Sequence, residues 1–164
     1  MALVSYPFKL LLLTFVFISG GQMAIAQMRG PLPDEQREII QYMAAHHDEL
    51  SRVVAINKNG YSATTASKNE VLSTKLKKHF AYMQKRVGSG AMVRRWDPAY
   101  AELVEYYDQI EVNVEYLDNG IRVVFVGTTP EGVKVAQNHA QIVTGFTNEG
   151  STALRKSHAK ALKE

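Results

Sequence analysis

Two Asn-Gly pairs, Asn59-Gly60 and Asn119-Gly120, stand 60 residues apart, each between runs of strand-forming residues. Asn-Gly is the strongest short hairpin signal, because both central residues of a type I′ turn need positive φ. Each pair is therefore expected to be a two-residue turn. The same shift of 60 lays much of the chain over itself without a gap: "HHDELSRVVAINKNGYSATTAS" falls on "YYDQIEVNVEYLDNGIRVVFVG". Asp48 meets Asp108, Leu50 meets Ile110, Val54 meets Val114, His79 meets His139 and Gly90 meets Gly150. The pattern reads as an internal repeat.

Each unit reads helix, hairpin, helix. In the first, Asp34 follows Pro33 as an N-cap candidate, and Ile40, Met43, His47 and Leu50 recur at helical spacing. In the second, Asp97 is placed to cap with Pro98 at the first helical position, and Tyr100, Leu103, Tyr107 and Ile110 form the stripe. Val112, Val114 and Tyr116 alternate with Asn113 and Glu115, and Ile121, Val123 and Phe125 on the return strand alternate with Arg122 and Val124. The first hairpin is more polar: Val54 and Ile56 face in, but "YSATTAS" is small and hydroxylated. Closing helices are expected from about Asn69 to Val87 and from about Pro130 to Phe146, with Gly150 ending the last of them. A lone two-stranded hairpin is marginal in water, so the two units are expected to pair about a pseudo-two-fold. The fold expected is α+β: one domain over 34–150, a tandem αββα repeat (34–90 and 94–150), with a four-stranded antiparallel sheet and helices on one face. "GSGAMVRRW" links the units, and the basic tail 151–164 is expected to be a short helix.

The first 26 residues read as a signal peptide. Lys9 precedes an apolar run, Leu10 to Ile18, of h-region length; Gly20-Gly21 then breaks it, and "AIA" at 24–26 fits a small-x-small cleavage pattern. Cleavage after Ala26 would leave a lead-in, 27–33, and an exported protein, periplasmic or secreted. The chain has no cysteine, so packing alone must hold it, and neither a Cys-ligated cluster nor covalently attached haem is possible. A net charge of +3 is too balanced to suggest nucleic acid, and no second apolar run is long enough to span a bilayer, so the mature chain is expected to be soluble. "KKHFAYM", "RRWDP" and "NHAQIV" around the two Asn-Gly pairs resemble a set of small exported bacterial proteins of unknown function. The resemblance covers most of the chain after residue 26 and implies no activity.

The histidines raise the functional question. His79 shares a stripe with Leu72, Leu76, Met83 and Val87; His139 with Ala136, Val143 and Phe146; His47 with Ile40, Met43 and Leu50. All three are expected to point at the sheet, where an unpaired polar group costs roughly 1–3 kcal/mol. Each ring could simply be satisfied by a carbonyl or a tyrosine. Alternatively His47, His79 and His139 form a site for zinc or copper, or a pair of them holds b-type haem. Met43 and Met83 lie one turn from His47 and His79, and that mixture suits copper(I) better than zinc. Arg94, Arg95 and Trp96 could together hold an anion, or merely form a helix-entering turn. The chain shows no nucleophile elbow, phosphate loop or HExxH, so a histidine-dependent enzyme is the least supported reading. Three readings stay open: a metal- or haem-binding protein, a structural or interaction module without a ligand, and a small enzyme.

Overall fold

The computed structural model describes residues 30–162. The expected signal peptide, with cleavage expected after Ala26, and the first residues of the expected lead-in fall outside the described residues. The element order is α1 (Asp34–Ala45), β1 (Ser51–Asn57), β2 (Gly60–Ala66), α2 (Glu70–Gly88), α3 (Pro98–Glu105), β3 (Ile110–Leu117), β4 (Gly120–Gly127) and α4 (Pro130–Glu149). Helix, hairpin, helix thus occurs twice, and a single 3-10 turn (His47–Glu49, Tyr107–Gln109) leads into each hairpin. The fold is α+β, with one antiparallel sheet in the order β1-β2-β4-β3.

The central pairing ties the two units together at equivalent positions. Ala63 pairs with Val123, Gly60 with Val126 and Ala66 with Gly120. Ala63 and Val123, which the shift of 60 superimposes, are thus direct partners at the centre of the sheet. The turns are reciprocal as well: Gly127 donates its N–H to the Asn59 carbonyl and Ser67 to the Asn119 carbonyl, both at 2.9 Å. One unit completes the other's backbone hydrogen bonding, which is why neither hairpin is left as a marginal two-stranded ribbon.

The turns themselves differ by one residue from the expectation. Asn57 pairs with Gly60 and Leu117 with Gly120, so the two-residue loops are Lys58-Asn59 and Asp118-Asn119. Among the described residues no non-glycine residue has positive φ, which excludes type I′. The glycines are needed for another reason. A Cβ on Gly60 would lie 2.1 Å from the Phe125 carbonyl oxygen, and one on Gly120 would lie 2.1 Å from that of Thr65. The neighbouring central strand approaches too closely for a side chain.

Helix starts follow ordinary capping chemistry. Asn69 accepts from the Val71 and Leu72 N–H groups, Thr129 from Gly132, and Asp97 from Ala99, with Pro98 and Pro130 at the first helical position. Asp34 is not a cap: it is the first helical residue of α1, behind Pro33, and its charge favours the helix N-terminus from within the first turn. Gly150 terminates α4 with φ +53°, where a Cβ would strike the His47 ring and the Ala44 carbonyl.

The helices cover one face of the sheet. Tyr61, Ala63 and Thr65 of β2 and Ile121, Val123 and Phe125 of β4 are buried beneath them, while Val53 on the opposite face is 69 % exposed. α4 lies against all four strands, and α2 against β4. Tyr61 and Phe125, paired across the centre, stack at 4.8 Å.

The C-terminal segment is not the expected basic helix. After a 3-10 segment, Gly150–Arg155, the chain runs without regular structure along α3. Asp97, fully buried, accepts from the His158 N–H and from His158 Nδ1 at 2.8 Å. Glu102, also buried, accepts from the Ala161 N–H at 2.6 Å and the Leu162 N–H at 3.0 Å. Ala99 donates to the His158 carbonyl, Asn138 to that of Ala159. Two buried carboxylates thereby satisfy backbone that a free helix end would leave to water.

Candidate functional site: a cavity between sheet and helices

The inner face of the sheet and the helices above it do not close completely. They leave a cavity of about 510 Å³ that is partly open to solvent. Its floor is sheet: Tyr61, Thr65, Ile121, Val123 and Phe125. Its roof is Met43 of α1, Leu76, His79, Phe80 and Met83 of α2, Tyr100 of α3, and His139, Val143 and Phe146 of α4. It is in the size range of small-molecule pockets, and its lining is apolar and aromatic with a few polar groups, as such pockets are.

His79 and His139 take equivalent places, on α2 and α4, and face the same space. Each ring is half-buried rather than sealed, because one side of it borders the cavity. His139 stands between Tyr100 (5.9 Å, edge-on) and Phe125 (5.7 Å). Burial pulls both imidazoles down to about pH 4, helped for His139 by the charge on Arg52, so both are neutral at pH 7. His79 Nδ1 is sealed and has no hydrogen-bond partner among the described residues. A proton there would be an orphaned buried donor, so the neutral ring carries its proton on Nε2.

Arg52 is the group that sequence reasoning missed. It lies on β1 opposite Thr65, on the inner side of the sheet, and lines the cavity. Its Nη1 donates to Thr65 Oγ1 at 2.7 Å and its Nε to Thr144 Oγ1 at 3.3 Å. Burial works against its charge, and the Tyr61 hydroxyl beside it partly offsets this. Among the described residues it has no carboxylate partner. The signal was present: Arg52, Val54 and Ile56 share one face of a period-two strand, so an inward-facing pair implies an inward-facing arginine.

Four of the expected ligand residues, His79, His139, Met83 and Met43, border this one cavity. His47 does not: its Nδ1 donates to the Thr147 carbonyl at 3.1 Å, which fixes α1 against α4. The three imidazoles therefore do not converge. Among the described residues no three His, Asp or Glu side chains are gathered as a metal would need. The Arg94, Arg95 and Trp96 group is not a free anion cradle. Arg94 is spent on Asp97 (3.2 Å) and on the Leu154 and Lys156 carbonyls, and it stacks on Trp96 at 4.2 Å. It holds the C-terminal segment. Trp96 and Arg94 also form part of the cavity wall. Among the described residues no helix is long and apolar enough to cross a membrane.

Compared with known proteins, the chain matches no family model, no curated protein and no solved structure.

Proposed function

We propose that this is a small exported binding protein whose ligand, a mostly apolar organic molecule, occupies the cavity between the sheet and the helices. The observation that carries this reading is the cavity itself: about 510 Å³, walled by aliphatic and aromatic side chains, with two neutral imidazoles at equivalent positions facing in. An open cleft of this size, apolar with a few polar groups, is the usual form of a small-molecule site. Export is supported by the apolar leader and "AIA" at 24–26.

A second reading keeps His79 and His139 as axial ligands of b-type haem, or with Met43 and Met83 as a copper(I) site, since all four side chains border one cavity. It fits His79 less well. A ligating imidazole normally donates its other N–H to a carboxylate, carbonyl or water, and His79 Nδ1 has no such partner. Zinc is less well supported still, for want of a third gathered ligand.

The test is binding of 1-anilinonaphthalene-8-sulfonate, haem and copper(I) to the folded protein, against the cavity-filling variant Val143→Trp. The fluorescent probe is expected to bind one per chain and to be lost in the variant, which should retain a cooperative melt. A wild type that binds none of the three refutes the reading.

A further inference from the structure

The charges around the cavity are one-sided. Arg37, Arg52 and Arg94 line it, and among its lining residues there is no aspartate, glutamate or lysine. Two of these arginines are already neutralised, Arg37 by Asp34 and Arg94 by Asp97. Arg52 remains, half-buried and held by hydroxyls alone. A desolvated guanidinium without a counter-charge is costly. The threonine hydroxyls on Nε and Nη1 fix its orientation, and the N–H bonds that remain, on Nη1 and Nη2, are the ones left for a carboxylate. Next to it stands His139, bordered by Tyr100 and Phe125. The rest of the wall is mostly apolar, with Gln41, Gln84 and Thr147 among its few uncharged polar groups. The complementary molecule is thus one with a single negative head and a hydrocarbon or aromatic body.

We propose that the cavity takes a monocarboxylate amphiphile, its carboxylate head on Arg52 beside His139 and its apolar body laid along the Tyr61, Phe125 and Val123 floor towards His79. This rests on the reading that the cavity binds an organic ligand, and it adds the ligand's chemical class and orientation. One guanidinium balances one negative charge, which favours a carboxylate over a doubly charged phosphate head. His79, at the other end of the cavity wall, offers a further hydrogen-bonding group to an oxygen in the distal part of the ligand when one is there.

The experiment compares decanoate with decan-1-ol, which share the chain and differ in the head. Binding to the protein purified after export is measured by isothermal titration at pH 7 and low salt. A hydrogen-bonded charge contributes enough to give decanoate a preference of about 10- to 100-fold. In Arg52→Met the two are expected to bind within about twofold of each other, with decan-1-ol affinity little changed. Equal affinities in the wild type, or an undiminished decanoate preference in Arg52→Met, would overturn the assignment while leaving the cavity as a binding site. No binding of either molecule would also overturn the assignment, and the cavity reading falls with it only where 1-anilinonaphthalene-8-sulfonate, haem and copper(I) fail to bind too. The comparison in the wild type alone decides the matter should the variant fold poorly.

Discussion

The two cavity imidazoles make the protein's stability a function of pH, with a sign that follows from their surroundings. His79 and His139 titrate at about pH 4 in the folded protein, against about 6.5 for a free imidazole. The unfolded chain therefore binds more protons than the folded one between those values, and stability falls as pH drops below 6.5, levelling off below 4. Each ring contributes a slope of about 1.4 kcal/mol per pH unit in that window, so lowering the pH from 7 to 5 costs about 2 kcal/mol per ring and about 4 kcal/mol for both. Among the described residues no carboxylate lines the cavity to hold an imidazolium, and Arg52 beside His139 adds repulsion. The loss is thus not offset locally. Urea unfolding at a series of pH values, followed by circular dichroism, measures it directly. Substituting both rings with glutamine, which cannot be protonated, should flatten the profile between pH 7 and 5. A wild type whose unfolding free energy is level across that range, or a double glutamine variant with the same slope, would refute the reasoning.

Other perturbations test the frame around the cavity. Gly60→Ala and Gly120→Ala each drive a methyl into a carbonyl of the facing central strand, and each is expected to cost roughly 3–5 kcal/mol in a thermal melt, the more at Gly60, whose φ of +146° also disfavours a side chain. Asp97→Ala removes the cap of α3, the partner of Arg94 and the anchor of His158 at once; the loss should be about 3–5 kcal/mol, and limited proteolysis should cut the chain after Arg155. A variant that resists cleavage as well as the wild type does would show that the segment is held elsewhere.

How far the sequence could be read follows from the range of the interactions concerned. The hairpins, the order of elements and the inward faces of α2 and α4 were legible because turn chemistry and periodicity are local, and the shift of 60 added the long-range clue that β2 and β4 are equivalent strands. The turns were misplaced by one residue because Gly60 and Gly120 are read locally as turn residues, whereas their real constraint is a neighbouring strand. Stripes showed that His79 and His139 face inward, but a stripe says nothing of whether the space it faces is filled. The role of Arg94 and the path of residues 156–162 were invisible for a simpler reason. Asp97 and Glu102 look like a cap and a surface acid in a helix, and only the fold brings His158, Ala161 and Leu162 against them.

That clasp ties one wall of the cavity to a stretch of chain 59 to 61 residues further along. α3 carries Tyr100 and Leu103 into the cavity wall, and the buried carboxylates Asp97 and Glu102 beside them take backbone donors from residues 158–162. Without that segment Glu102 would be a buried carboxylate short of its backbone donors, and Asp97 would keep only the Ala99 N–H and Arg94. The wall is braced from behind, by residues that do not line the cavity.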